Sequence, residues 1–224
     1  MTSAPTLQPK FLPSRNELGV VAVGFSGGQT KPGVDAAPMA LIEAGLLTQL
    51  TSELAFNVHY DGTVHDYKDI LSSLGTSDAP HRGMKRPRTV SAVNRSVAEH
   101  VYGHAAAGRF VLTLGGDHSI AMGTISGTAR ACRERGQDVA VIWVDAHADI
   151  NTPETSASGN IHGMPVAFLT GLAEERDDDV FGWMKERLRT DKLVYIGLRD
   201  VDVGEKEILR KHGIKAFSMH DIDR

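Results

Sequence analysis

Six short runs of apolar, largely β-branched residues punctuate the chain: Gly19–Val23, Phe56–Tyr60, Phe110–Leu114, Val139–Val144, Leu193–Ile196 and Ile214–Phe217. Between most of them lie stretches with apolar residues at helical spacing: Ala37–Leu50, Thr89–Ala107, Ser119–Arg135, Met164–Leu172, Val180–Arg189 and Val203–Lys211. Strands that alternate with helices build a parallel sheet, because each crossover lays its helix back over a sheet face. The order therefore predicts an α/β fold of three layers, α/β/α, around a mostly parallel sheet. With 224 residues, 41% of them apolar, the chain has enough material for one sizeable core. Residues 1–18, with Pro5, Pro9 and Pro13, read as a loose lead-in to a domain over 19–224.

Charge and cysteine content narrow the classes of function. Twenty-four Lys and Arg against 28 Asp and Glu leave a net charge of −4, which gives no global attraction for nucleic acid. Cys132 is the one cysteine, so no internal disulfide forms. The start, MTSAPTLQPK, lacks the apolar core of a secretory signal, and no run is long enough to span a bilayer. These features predict a cytoplasmic protein without a membrane or nucleic-acid partner. GFSGGQTKPG, residues 24–33, lacks the ending of a phosphate-binding loop, and the basic HRGMKRPR, residues 81–88, reads as a solvated loop.

The chemistry gathers where strands end. VAVIWVDAHAD, residues 139–149, is an apolar strand that closes on Asp145, His147 and Asp149. On an extended chain these i, i+2 and i+4 positions share a face, and the carboxyl end of a parallel strand is where ligands bind. FVLTLGGDHS, residues 110–119, ends the same way, with His118 as a further candidate ligand, Asp117 as a carboxylate to orient an imidazole, and Ser119 as a helix cap. Carboxylates with imidazoles and no thiolate favour Mn²⁺ or Mg²⁺ over structural zinc, and imidazole tips the choice to Mn²⁺. Two such ions activate water for hydrolysis.

NTPETSASGNIHGMP, residues 151–165, follows directly, offering Asn151, Ser158 and Asn160 as neutral donors for a substrate carboxylate and His162 for proton transfer. In YIGLRDVDVGE, residues 195–205, Asp200, Asp202 and Glu205 either attract an ammonium group or cap the helix beginning near Val203. The residues alone favour the cap.

Together GGDHS, DAHAD, the NTPETSASGNIHGMP loop and the N-terminal VVAVGFSGGQTKPGVDAAPMALIEAGL resemble the ureohydrolase family, and within it fungal arginases, over about Leu18 to Arg224. The resemblance implies two Mn²⁺ per subunit. His118, Asp145 and Asp149 would hold one, and His147 with a bridging Asp145 the other. It implies that Asp149 orients a metal-bridging hydroxide and that His162 is the proton shuttle. Asn151 and Ser158 would contact the α-carboxylate of L-arginine, with Asn160 and Ser156 nearby, and Asp202, supported by Glu205, would meet its α-amino group. The expected reaction is hydrolysis of L-arginine to L-ornithine and urea, as in arginine catabolism and the urea cycle, by a homo-oligomer of three or six subunits. Agmatine, which has no α-carboxylate, is the less favoured substrate, since the donor loop would be left unpaired.

By the same resemblance, relatives run on through a strand ending in Asp-x-Asp, with two more metal ligands, and a later glutamate. The sequence ends SMHDIDR, before either. This predicts an α/β fold without its C-terminal strands, and it sets a non-catalytic truncated isoform or fragment beside the hydrolase as the alternative.

Overall fold

The computed structural model of the chain describes residues 16–74, 78–173, 180–185 and 187–224. Its first half is built around β1 (Glu17–Val23), which pairs in parallel with three strands. On one side lie the short β2 (Asn57–His59) and β3 (Val64–His65), and on the other β4 (Phe110–Leu114). Alternation sorts the side chains of β1 between two layers. Leu18, Val20 and Ala22 pack with Leu50 and with Ile42, Leu46 and Leu47, which belong to or adjoin α1 (Ala37–Glu43) and α2 (Leu46–Ser52). Val21 and Val23 face Val90, Val93, Val97 and Val101 of α4 (Pro87–Ala106). The short α3 (Lys68–Leu74) precedes α4.

The second half is another parallel sheet, in the order β5 (Val141–Val144), β6 (Leu193–Leu198), β7 (Lys215–Ser218). The parallel α/β architecture is thus present, but as two sheets. Trp143 and Tyr195 point into the shared core, while Ile142, Val144 and Phe217 on the opposite face are exposed. Among the described residues β4 pairs with β1 alone and β5 with β6 alone, so both show an unpaired edge. Between them runs a groove of about 380 Å³, lined by Thr113, Thr124 and Val141–Val144. Helix α5 (Ala121–Glu134) joins the halves and packs along α4. The remaining helices are α6 (Pro165–Thr170), α7 (Val203–Lys211) and α8 (Met219–Ile222).

Several expectations shift. The helix expected over Ala37–Leu50 breaks at Gly45, whose φ of 93° admits glycine with little strain, giving α1 and α2. Val180–Arg189 forms bends and a turn where it is described, not a helix. Its apolar residues Phe181, Met184 and Leu188 are buried all the same, and its polar groups close the end of α6: Leu188 N–H donates to Leu169 O at 2.8 Å and Arg187 Nη1 to Phe168 O at 2.6 Å.

The basic run over 81–88 leaves Lys85, Arg86 and Arg88 exposed, as a solvated loop does, but it is anchored at several points. Met84 is fully buried, Arg82 pairs with Glu154, and Arg86 Nη2 donates to Gln29 O at 2.6 Å. Lys85 N–H donates to Gly159 O at 2.9 Å, which pins the run to the polar loop over 151–165. The approach is close: a Cβ on Gly159 would lie 2.1 Å from Gly83 O. Residues 1–15 of the expected lead-in lie outside the described residues, and β1 already begins at Glu17.

Candidate active site

Strands β4, β5 and β6 all deliver polar residues from their carboxyl ends. After β4 the chain turns through Gly115 and Gly116 into a short 3-10 helix, His118–Ile120. Its cap is Asp117, whose Oδ1 accepts from Ser119 N at 2.9 Å. Ser119, read as the cap, is instead fully buried with its hydroxyl unpartnered, because the carboxylate two residues earlier already occupies that role. His118 reaches across to the second half, placing Nδ1 2.8 Å from Asp145 Oδ2 and 2.8 Å from Asp149 Oδ2.

Asp145 and Asp149 do not meet by strand alternation. β5 ends at Val144, and the next residues bend back, with Asp149 at a φ of 48° in the left-handed region. That turn, rather than an extended backbone, brings the first and last carboxylates together. Tyr195, buried on β6, holds it by donating its hydroxyl to Ala148 O at 2.7 Å. Burial pushes the Tyr195 hydroxyl well above the usual tyrosine range. Ile150 N–H donates to Glu205 Oε1 at 3.3 Å on the other flank.

His118, Asp145 and Asp149 offer three ligand atoms within 4.8 Å of one another. Both carboxylates converge on one imidazole nitrogen, and the hydrogen bond that Asp149 accepts from it raises the His118 pKa against the opposing effect of burial. Two nearly buried carboxylates with one imidazole and no sulfur suit a hard divalent cation. His147 stands apart from this trio. Its Nε2 lies 3.3 Å from Asp200 Oδ2, and its Nδ1 3.5 Å from Asp145 Oδ1. Asp145 also accepts from Trp143 Nε1 at 3.3 Å and from His147 N at 3.0 Å.

A cleft of about 260 Å³ opens beside the trio. His147, Asp149 and Asp200 line one part of it. Asn151, Ser156, Ser158, Asn160 and His162 line another, and Asp202 and Glu205 the rest. The donor loop is fixed from within: Gly159 N–H donates to Ser156 Oγ at 3.1 Å and Asn160 N–H to Ser158 Oγ at 3.2 Å. Asn151 Nδ2 donates to Asp202 Oδ2 at 2.6 Å, and Thr155 Oγ1 to Asn151 Oδ1 at 2.7 Å.

Asp202 and Glu205 form a capping box on α7, so the cap reading of the residues describes this segment. Glu205 is buried, and burial raises its pKa. Its carboxylate is taken up by Asp202 N and Ile150 N, which makes it a brace between α7 and the turn. The sequence offers no local signal for Tyr195 in that bracing role, because its partner is 47 residues away.

Comparisons with known proteins concern the chain as a whole. A family model described as the Arginase family matches residues 16–224. The chain is 65% identical to an arginase of Neurospora crassa over 221 residues, 97% of this chain and 61% of that protein. An arginase of Emericella nidulans is 62% identical, covering 100% of this chain and 69% of its own length. Among solved structures, a cold-adapted arginase of the yeast Glaciozyma antarctica superposes with a TM-score of 0.74 at 41% identity, over 96% of this chain and 66% of that one. An Entamoeba histolytica arginase, crystallised with L-ornithine, gives 0.78 at 30% identity, over 93% and 66%. The chain spans 61% to 69% of the length of the curated fungal arginases to which it is 60–65% identical. On the strength of the match over residues 16–224 and of these relatives, the chain belongs to the arginase family.

Proposed function

We propose that this site hydrolyses the guanidinium group of L-arginine to give L-ornithine and urea, with Mn²⁺ as its metal. The observation that carries the reading is the convergence of Asp145 and Asp149 on His118 beside a cleft lined by neutral donors. His118, Asp145 and Asp149 would hold one ion, and His147, next to Asp145, would contribute to a second. Bound there, Mn²⁺ supplies Lewis acidity and a nucleophile at neutral pH. The protein's own groups do the rest.

Asn151, Ser156, Ser158 and Asn160 orient the amino-acid end of the substrate through its carboxylate, and Asp202 takes its ammonium. Glu205 braces Asp202 and the turn that carries Asp149. Asp149 accepts a proton at its carboxylate, and His162 passes one toward the leaving amine. The Entamoeba histolytica arginase was crystallised with L-ornithine, the amino-acid product of the proposed reaction. The same reading takes residues 19–224 as the arginase domain of a cytoplasmic homo-oligomer of three or six chains, acting in arginine catabolism. These last attributes rest on family likeness. The fold adds only that no helix among the described residues is long and apolar enough to cross a membrane.

The test is urea release from L-arginine by the purified chain with Mn²⁺, beside His118→Ala and with agmatine as competitor substrate. Urea from the parent, lost in His118→Ala and absent with agmatine, supports the reading. A folded chain that binds about two Mn²⁺ and releases no urea would sink it for this chain, and so would agmatine turning over faster than arginine.

A further inference from the structure

The loop over 24–33 is laid directly on the turn that carries His118. Gly116 N–H donates to Val23 O at 3.2 Å and Asp117 N–H to Phe25 O at 2.9 Å. Asp117 is buried, and both of its carboxylate oxygens are in use: Oδ1 accepts from Ser119 N at 2.9 Å and Oδ2 from Gly28 N at 2.8 Å. The fit around Gly28 excludes any side chain, since a Cβ there would stand 2.6 Å from Asp117 Oδ1 and 2.6 Å from Ser119 Oγ.

Held in this way, Gly28 presents its carbonyl oxygen to a residue 134 positions later. It accepts from His162 N at 3.0 Å and lies 3.2 Å from His162 Nδ1. A carbonyl oxygen has no proton to offer, so the ring contact is a hydrogen bond only when Nδ1 carries the hydrogen. The neutral imidazole then has Nε2 as its bare nitrogen. His162 also lines the cleft that holds Asn160 and Ser158.

We propose that Asp117 is a positioning residue: by anchoring Gly28 it fixes neutral His162 as the Nδ1–H tautomer and leaves Nε2 as a proton acceptor. The two ring nitrogens of a histidine have distinct roles, and the partner of one decides what the other can do. Gly28 supplies that partner, and Asp117 supplies the place of Gly28. The use made of the bare Nε2, to take up the proton that His162 then passes toward the leaving amine, rests on the function proposed above. The tautomer itself does not.

Long-range ¹H–¹⁵N spectra of the full chain labelled at histidine read the tautomer directly, with His162→Gln assigning the resonance. Above neutral pH the parent is expected to show His162 Nδ1 at a protonated nitrogen shift and Nε2 at an unprotonated one. Asp117→Asn turns one acceptor into an NH₂ group facing Gly28 N or Ser119 N, and the two shifts are expected to move toward each other as the tautomers mix. Where Asp117→Asn does not fold, Gly28→Ala displaces the loop with the carboxylate intact and gives the same readout.

A parent in which Nε2 carries the proton overturns the proposal without any variant. So does a folded Asp117→Asn or Gly28→Ala chain with unchanged His162 shifts. In a urea assay, Asp117→Asn is expected to lower kcat by about tenfold while KM changes little. A parent with the expected tautomer but no urea release supports the positioning and removes only the proposed reaction.

Discussion

The two sheets differ in how many faces are covered. β1 is sandwiched, with Leu18, Val20 and Ala22 under α1 and α2 and Val21 and Val23 under α4. The β5–β7 sheet keeps one face inward, through Trp143 and Tyr195, and leaves Ile142 65%, Val144 72% and Phe217 52% exposed on the other. Parallel sheets are normally covered on both faces. The lesson lies in where the polar residues sit. His118 comes from the sandwiched half and Asp145 with Asp149 from the half with one bare face, so the trio is also a tie between them.

The largest test of this contrast sets Leu18→Ala against Val144→Ala. Leu18 is 1% exposed between two layers, and its truncation should cost about 2–5 kcal/mol in chemical denaturation. Val144→Ala should stay within about 0.5 kcal/mol, as for surface positions generally. Equal losses would mean that the bare face is covered in solution.

Next comes Tyr195→Phe, which probes the inward face of the second sheet. It leaves Ala148 O without its buried donor, at a cost of about 1–3 kcal/mol. Amide exchange around residues 146–149 should quicken with it, and a neutral result would make the turn self-supporting.

The smallest effect concerns acid and is expected from the first half alone. His100 on α4 lies against His65 of β3, ring centroids 4.3 Å apart and planes tilted by 35°, with His104 on the same helix. Burial holds both α4 histidines below the ordinary value of 6.5, and His65 lowers His100 further while Arg109 lowers His104. Groups kept neutral by folding contribute stability above pH 6.5 that is lost as the pH falls through that value and toward the lower folded-state pKa. Between pH 7.5 and pH 5.5 this loss runs against the gain from His118, whose pKa is raised, so the check is a difference: the denaturation midpoint of His100→Gln should lose less on acidification than that of the parent. An unchanged slope would place the acid sensitivity elsewhere.

Much of the first sheet is legible in the sequence because its strands carry their own signals. Phe110–Leu114 and Val203–Lys211 form the elements that their patterns predict, with the same bounds. β3 is two residues long, and α3 follows it after an Asp and a Tyr; neither leaves a period to read. The break at Gly45 hides inside an otherwise helical run. In the site, the residue types of DAHAD and GGDHS announce metal chemistry, but not the turn that joins Asp145 to Asp149. That turn depends on Tyr195 and Glu205, which lie far along the chain. The grip of Asp117 on Gly28 is equally non-local, 89 residues apart, and so no spacing rule could find it.

The contact between Gly83 and Gly159 bears on how such a sequence can drift. With φ values of 79° and 68° and a notional Cβ on Gly159 only 2.1 Å from Gly83 O, neither position is free to change alone. A side chain on Gly159 would push back the basic run and, with it, the donor loop that Lys85 holds. The cleft is therefore constrained from beneath as well as from its lining: a side chain at Gly159 displaces the loop that carries Ser156 and Ser158, even with both hydroxyls intact.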